Sequence, residues 1–179
     1  IIAIGAPGND DNGSSSGHVR IYENIGGVWT QVGADIDGQT ANDRFGWSVS
    51  LNADGSIVAI GAWANNSYTG YVRIYQLIGG VWTQVGGDII GEAASDRSGE
   101  AVSINADGTI VAIGARGNDG NGSDSGHVRV YQNIAGVWTQ MGSDINGESG
   151  GDRSGGSIDI SNDGTVVAIG ARFNNGSNG

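Results

Sequence analysis

Ile57-Val58-Ala59-Ile60-Gly61-Ala62 decides how this chain folds. The same hexapeptide returns at residues 110–115. It comes back as Val166-Val167-Ala168-Ile169-Gly170-Ala171, and the chain opens on Ile1-Ile2-Ala3-Ile4-Gly5-Ala6. An almost unbroken apolar run, with β-branched residues beside Ala and Gly, does not alternate as a half-exposed strand would. It reads as a strand buried on both faces, in a place with little room for side chains. The copies are spaced by 56, 53 and 56 residues. A fixed period of that length marks a repeat architecture.

Three further blocks follow the apolar strand in constant order. The first is Gly17-His18-Val19-Arg20-Ile21-Tyr22, with copies Gly70-Tyr71-Val72-Arg73-Ile74-Tyr75 and Gly126-His127-Val128-Arg129-Val130-Tyr131. Its alternation of aliphatic residues with Arg and Tyr predicts a strand with one buried and one more polar face. A short Gly-containing turn leads into Val28-Trp29-Thr30-Gln31, repeated at 81–84 and 137–140, so the two blocks form a hairpin. A polar loop closes on Asp43-Arg44, Asp96-Arg97 or Asp152-Arg153, and another strand begins there. Turns containing Asp54-Gly55, Asp107-Gly108 and Asp163-Gly164 bring the chain back to the apolar strand; Asp-Gly between two β runs is a strong hairpin signal. No helical periodicity is present. The pattern predicts an all-β chain of four-stranded antiparallel blades in tandem, of the β-propeller type.

Composition narrows the function classes. The chain of 179 residues carries 35 Gly, one Pro, no Cys and a formal charge of -11; its eight basic residues are all Arg. That balance argues against nucleic acid, which requires a basic footprint, and against an anionic membrane surface. No run is apolar over the roughly 20 residues of a membrane span. The chain starts without Met and inside a strand, so a piece of a longer polypeptide is expected.

Phe45-Gly46 opening a strand, Asp54-Gly55 in the turn and Ile60-Gly61-Ala62 in the next strand together resemble FG-GAP repeats. Those repeats are the blades of the integrin α-subunit propeller and of many secreted bacterial proteins. The Val-Trp-Thr-Gln block is similar to the bacterial branch. Later copies depart from the pattern: Ser98-Gly99 and Ser154-Gly155 replace Phe-Gly, and Gly5-Ala6-Pro7 is the one full Gly-Ala-Pro. The family's blade order puts the Phe-Gly strand innermost and the Trp strand outermost. It therefore divides the chain into a partial blade at 1–44, blades at 45–97 and 98–153, and a partial blade at 154–179. Three or so blades do not close a ring. Further repeats of the same protein, or self-association through the open edges, are expected to complete the object.

The resemblance also implies where calcium would bind, in a loop before the Gly-Ala strand. The matching ladder here is Ser50, Asn52, Asp54, Ser56 and Val58, and the last position is apolar in every copy (Val58, Val111, Val167). One carboxylate per loop is too few for a hard cation that takes six or more oxygens, so these read as plain turns. The loop after each Gly-Ala strand carries Asp10, Asp11, Asp119 and Asp124, a second place for calcium, but its middle copy has no carboxylate. No cofactor is expected, with calcium the one candidate.

The same loop holds every N-x-Ser sequon of the chain, at Asn12, Asn65, Asn121 and Asn175, which makes these the candidate glycosylation sites. His18 and His127 occupy a position held by Tyr71 in the middle copy, which predicts aromatic packing. Trp29, Trp82 and Trp138 are expected to pack between neighbouring blades, and the Asp-Arg pairs to form loop ion pairs. No copy gathers a nucleophile, base and orienter missing from the others, so no enzyme is expected. The expected function is an extracellular or cell-surface structural and adhesion scaffold, possessing glycans or surface proteins as partners and suited to a glycosylated fibrous assembly. The alternative is a carbohydrate- or calcium-dependent lectin-like module.

Overall fold

The computed structural model describes residues 1–174, and nearly all of its regular structure is antiparallel β. Turn chemistry sets the hairpins. Ile25 pairs with Val28 across Gly26-Gly27, both at positive φ (61° and 92°), the signature of a two-residue type I′ turn whose twist matches its strands. Gly79-Gly80 does the same, and in the third copy Ala135 takes the first turn position at φ 52°. The Asp-Gly turns work through side chains. Asn52 Oδ1 accepts from the Ile57 amide at 2.9 Å and Asp54 Oδ1 from the Ser56 amide at 2.9 Å, while Gly55 sits at φ 74°. The matching carboxylates Asp107 and Asp163 are held by Thr109 and Thr165 in the same way.

Four sheets follow one another along the chain. The first contains β1 (Ile2–Ala6), β2 (His18–Ile25), β3 (Val28–Gln31) and β4 (Ile36–Asp37). The second contains β5 (Ser48–Leu51), β6 (Ile57–Ala62), β7 (Tyr71–Ile78), β8 (Val81–Gln84) and β9 (Ile89–Ile90). The third repeats this as β10 (Ala101–Ile104), β11 (Ile110–Ala115), β12 (His127–Ile134), β13 (Val137–Gln140) and β14 (Ile145–Asn146). The fourth is the hairpin of β15 (Ser154–Ile160) and β16 (Val167–Ala171). Each full sheet is a meander, 5-6-7-8 or 10-11-12-13. A two-residue strand (β4, β9, β14), not foreseen from the sequence, pairs with the start of the third strand on the side its Trp strand leaves open. Among the described residues the sheets make an open array; none pairs round to close a ring.

Hydrophobic clusters lie between sheets, not within one. Val58 and Ile60 pack with Phe45 and with Val19 and Ile21 of the preceding repeat, while Ala59, Val72 and Ile74 pack with Val111 and Ile113 of the next. The apolar strand is thus covered on both faces in β6 and β11. In β1 one face is bare: Ile2 and Ile4 are 40% and 49% exposed, where their counterparts Val58 and Ile60 are fully buried. The Arg/Tyr face of β7 differs from expectation. Tyr71, Arg73 and Tyr75 are buried, because the adjacent sheet covers them and Arg73 meets Asp88 through two 2.8 Å bonds.

The seams between sheets are backbone against backbone. Gly17, Gly70 and Gly126 bridge in parallel to Phe45, Ser98 and Ser154. Ser48 Oγ donates to the Gly99 carbonyl at 2.7 Å, and Ser103 Oγ accepts from the Ile160 amide at 3.1 Å. Trp82 Nε1 donates to Val32 O at 2.8 Å and Trp138 Nε1 to Val85 O at 2.9 Å, so each Trp ties its sheet to the previous one. Trp29, with no earlier sheet to meet, is 49% exposed. The loop after the Gly-Ala strand opens on the same turn in three copies, the amides of Asn9, Asn118 and Asn174 donating to the carbonyls of Ala6, Ala115 and Ala171, whereas the short second copy folds as a tight turn at Asn65–Tyr68 with Asn66 and Ser67 in the left-handed region.

Candidate functional site

Each Asp-Arg pair divides its labour. The Asp is buried and anchors the loop: Asp43 accepts from Asn65 Nδ2 (2.7 Å) and from the Tyr71 hydroxyl (3.1 Å), Asp96 from the Ala93 amide (2.9 Å) and Asn118 Nδ2 (3.2 Å), and Asp152 from the Ser149 amide (2.8 Å). The Arg that follows stands in the left-handed region, at φ 55°, 58° and 55° for Arg44, Arg97 and Arg153. Non-glycine residues rarely sit there, and such strain collects at functional positions. Their amides donate to the carbonyls of Ser15, Tyr68 and Asp124, which fixes the turn. The expected loop ion pair does not form: among the described residues no such Asp bridges to its own Arg, because the left-handed turn sends the two side chains apart.

The freed guanidinium groups gather with the arginines that end the Gly-Ala strands. Arg97, Arg116, Arg153 and Arg172, with Gly117 and Asp124, line a cleft of about 190 Å³. Arg116 Nε donates to Glu100 Oε2, and Arg153 lies 3.5 Å from Asp124. Arg97 and Arg172 have no carboxylate partner among the described residues. Four guanidinium groups therefore face two carboxylates, in a chain whose net charge is -11. Aromatic rings hold the arginines: Arg97 lies over Trp63 (5.2 Å) and Tyr68 (6.0 Å), Arg44 over Trp63 (5.6 Å), and Phe173 takes Arg153 (5.1 Å) and Arg172 (4.9 Å). Trp63 stacks on Tyr68 and meets Trp47 edge-on. Its indole Nε1 is buried without a hydrogen-bond partner. The cleft has the size and charge for one anionic group: carboxylate, sulfate or phosphate.

A signal for this cleft was present in the sequence, in that all eight Lys/Arg residues are Arg at repeated positions, two of them directly after Gly-Ala (Arg116, Arg172) and three directly before the Phe-Gly or Ser-Gly strand (Arg44, Arg97, Arg153). What pattern alone could not give was the left-handed turn that separates Arg from Asp.

The sequon asparagines sit beside the anchoring loops. Asn12 and Asn121 are exposed, yet Asn12 Nδ2 donates to Gly38 O at 3.1 Å and Asn121 Nδ2 donates twice, to Gly147 O (2.9 Å) and Glu148 O (2.8 Å). Asn65 Nδ2 is the donor to Asp43. All three clasp one loop to another through the nitrogen to which a sugar would attach, and a sugar on Asn121 would displace one of its two bonds. Asn175 lies outside the described residues. The loop carboxylates serve as staples: Asp10 accepts from the Ser15 amide (2.7 Å) and Asp119 from the Asp124 amide (2.8 Å). His18 and His127 are buried, as packing residues would be, but the Nδ1 of each has no hydrogen-bond partner. Burial, with Arg129 next, lowers the His127 pKa below its ordinary value.

Residues 91–131 match the family model described as FG-GAP repeat; the match spans the loop after β9, β10, β11 and most of β12, and includes Arg97 and Arg116. No curated protein matches the chain in sequence. Among solved structures, the chain is similar to a "putative 6-phosphogluconolactonase" from Bacteroides uniformis at 12% identity and a TM-score of 0.56. The likeness covers 87% of this chain and 41% of that one, so the chain spans well under half the length of its structural relative. At such identity the likeness concerns the fold. It overturns one expectation, that the chain is no enzyme: the sameness of the repeats was the ground for it, and an architecture of this kind carries an enzyme's description.

Proposed function

We propose that this FG-GAP repeat protein is an extracellular adhesion scaffold of propeller-type blades that holds an acidic ligand in its arginine cleft. The observation that carries the reading is the convergence of Arg97, Arg116, Arg153 and Arg172 on one 190 Å³ cleft in an otherwise acidic chain. Four cations brought within reach of one another repel, and an arrangement that costs repulsion is relieved when an anion enters. Rings beside a charged cleft suit a carbohydrate that carries uronate or sulfate, with sugar faces on the aromatic groups and the acid on the arginines.

The test is calorimetric titration with a sulfated or uronate-bearing oligosaccharide against its neutral counterpart, at low and physiological salt. Binding of the acidic sugar alone, weakened by salt and about tenfold weaker in Arg97→Ala and in Arg172→Ala, supports the proposal. Equal binding of acidic and neutral sugars, or indifference to both substitutions, overturns it.

The bare apolar faces favour a second element of the same reading. Ile1, Ile2 and Ile4 at one end of the array and Val166 at the other are exposed at positions whose interior counterparts are covered by a neighbouring sheet. Further blades of the same kind, or a second copy of the chain, cover them. Sedimentation of the 179-residue chain at rising concentration checks this: association that Ile4→Glu abolishes supports it, and a strict monomer at all concentrations does not.

A further inference from the structure

We propose that two repeats each hold a first-row divalent transition cation, on His18 with Asp11 and Asp37, and on His127 with Glu92 and Asp144. In both groups the candidate donor atoms lie within 4.8 Å of one another. His127 Nδ1 is 3.7 Å from Asp144 Oδ2 and 4.0 Å from Glu92 Oε2, and His18 Nδ1 is 3.7 Å from Asp11 Oδ2. These distances are too long for a hydrogen bond, and neither Nδ1 has any other partner. Two ligands on one ion at about 2.1 Å each stand roughly 3.4 Å apart at a tetrahedral angle, so the 3.7 Å pairs need a contraction of a few tenths of an ångström, and the widest separation, at most 4.8 Å, needs about 1.4 Å, taken up by the exposed carboxylates.

The imidazoles are far inside: the side chains of His18 and His127 are 8% and 1% exposed. A buried ring nitrogen aimed at acidic oxygens without bonding any of them calls for an ion or a water. The carboxylates are free to serve. No hydrogen bond claims the side chains of Asp11 or Asp37 among the described residues. Asp144 gives only Oδ1, to Gln140 at 2.7 Å, and keeps Oδ2 for the site.

The middle repeat shows what the site is not. There Tyr71 replaces His, and its hydroxyl donates to Asp43. Ile90 replaces Asp37, and Asp88 is claimed on both oxygens by Arg73. In the third repeat the matching Arg129 turns from Asp144, donating instead to Ile90 O at 3.0 Å and lying 3.4 Å from Glu92 Oε1. In the first, Arg20 keeps Asp35, and Asp37 and Asp11 stand in. Wherever the ring is His, two carboxylates are within its reach; where it is Tyr, none is left over. One imidazole nitrogen and two carboxylate oxygens, with the solvent side left for water, match a borderline cation such as zinc and not the all-oxygen shells of calcium or magnesium.

Chelator-treated full chain is titrated with zinc chloride, in competition with a chromogenic chelator. The expected stoichiometry is two zinc ions per chain. Glu92→Gln and Asp37→Asn, both at exposed side chains that leave the core intact, each weaken one ion at least about tenfold, and His127→Tyr, which copies the middle repeat, reduces the count to one. Excess calcium leaves the bound zinc in place. A stoichiometry unchanged by all three substitutions, displacement by calcium, or no zinc held against the chelator would overturn the proposal. The arginine cleft plays no part in these readouts.

Discussion

Gly61→Ala should be among the most damaging single substitutions in this chain, although it adds one methyl group. Gly61 lies in the buried strand β6, and a Cβ there would fall well inside 3.0 Å of both the Gly99 carbonyl oxygen and Ser48 Oγ. Ordinary contact begins near 3.4 Å, so the third sheet must retreat by roughly 1 Å or more along a packed seam. Overpacking of this kind costs about 1–3 kcal/mol, and here the obstacle is backbone that cannot change rotamer. Retreat also breaks the 2.7 Å bond from Ser48 Oγ to Gly99 O, worth about 1 kcal/mol. The sum is about 2–4 kcal/mol, or a fall in melting temperature of roughly 4–16 °C for a chain of this size. The control is Gly87→Ala, where a Cβ meets nothing within 4 Å and φ is not positive; its change should stay within about 0.5 kcal/mol. Urea unfolding followed by tryptophan fluorescence measures both. A Gly61→Ala variant within 1 kcal/mol of the parent would refute the claim that sheets meet backbone to backbone at this glycine.

Ala135 is the one non-glycine residue at the first position of the three two-residue turns, at φ 52°, and Ala135→Gly should raise stability by about 0.5–1 kcal/mol in the same urea assay. Asn121→Ala removes two hydrogen bonds to the loop that carries Gly147 and Glu148, and should cost about 1–2 kcal/mol while leaving the secondary-structure spectrum unchanged. The turn carboxylates Asp54, Asp107 and Asp163 are held below their ordinary value of 3.8, chiefly by hydroxyl donors from Ser56, Thr109 and Ser161, with Asp163 at about 2; Asp88 is lowered by Arg73. Since folding depresses these values, the stability they lend is complete above the unfolded value and is lost as pH falls through the folded ones. Unfolding free energy should therefore drop between about pH 4 and pH 2, and Asp163→Asn should flatten the lower part of that fall in a pH series of urea midpoints.

How much of this could be read beforehand follows the physics of each signal. Period, strand identity and hairpin turns were legible because they depend on local chemistry: β-branched runs, Asp-Gly, and Gly pairs with φ positive at both positions. The burial of Arg73 was not, since its alternating pattern spoke for a polar face and only a neighbouring sheet and Asp88 make that face dry. The two-residue strands β4, β9 and β14 are too short for any periodicity to show. The arginine cleft was half visible. Arg positions repeated with the blades, but the separation of each Arg from its Asp depends on a backbone conformation that the residue types disfavour.

The departures from the repeat say more about function than the repeat does. The middle copy places Trp63 where the next two copies have Arg116 and Arg172, and so supplies the ring under Arg44 and Arg97. It also places Tyr71 and Ile90 where the first copy has His18 and Asp37, and that exchange closes one potential site by bonding Tyr71 to Asp43. Exact symmetry would give every blade the same cleft and the same imidazole. By varying a few positions on an unchanged frame, the chain makes neighbouring blades unlike each other at the arginine cleft and at the histidine position while keeping their seams interchangeable. Glycines 5, 61 and 114 each have a neighbouring backbone carbonyl too close for a Cβ (Gly46, Gly99 and Gly155). These glycines are therefore held fixed from blade to blade, and the variation falls on the loops and on the strand ends beside them, at Trp63, Tyr71 and Ile90.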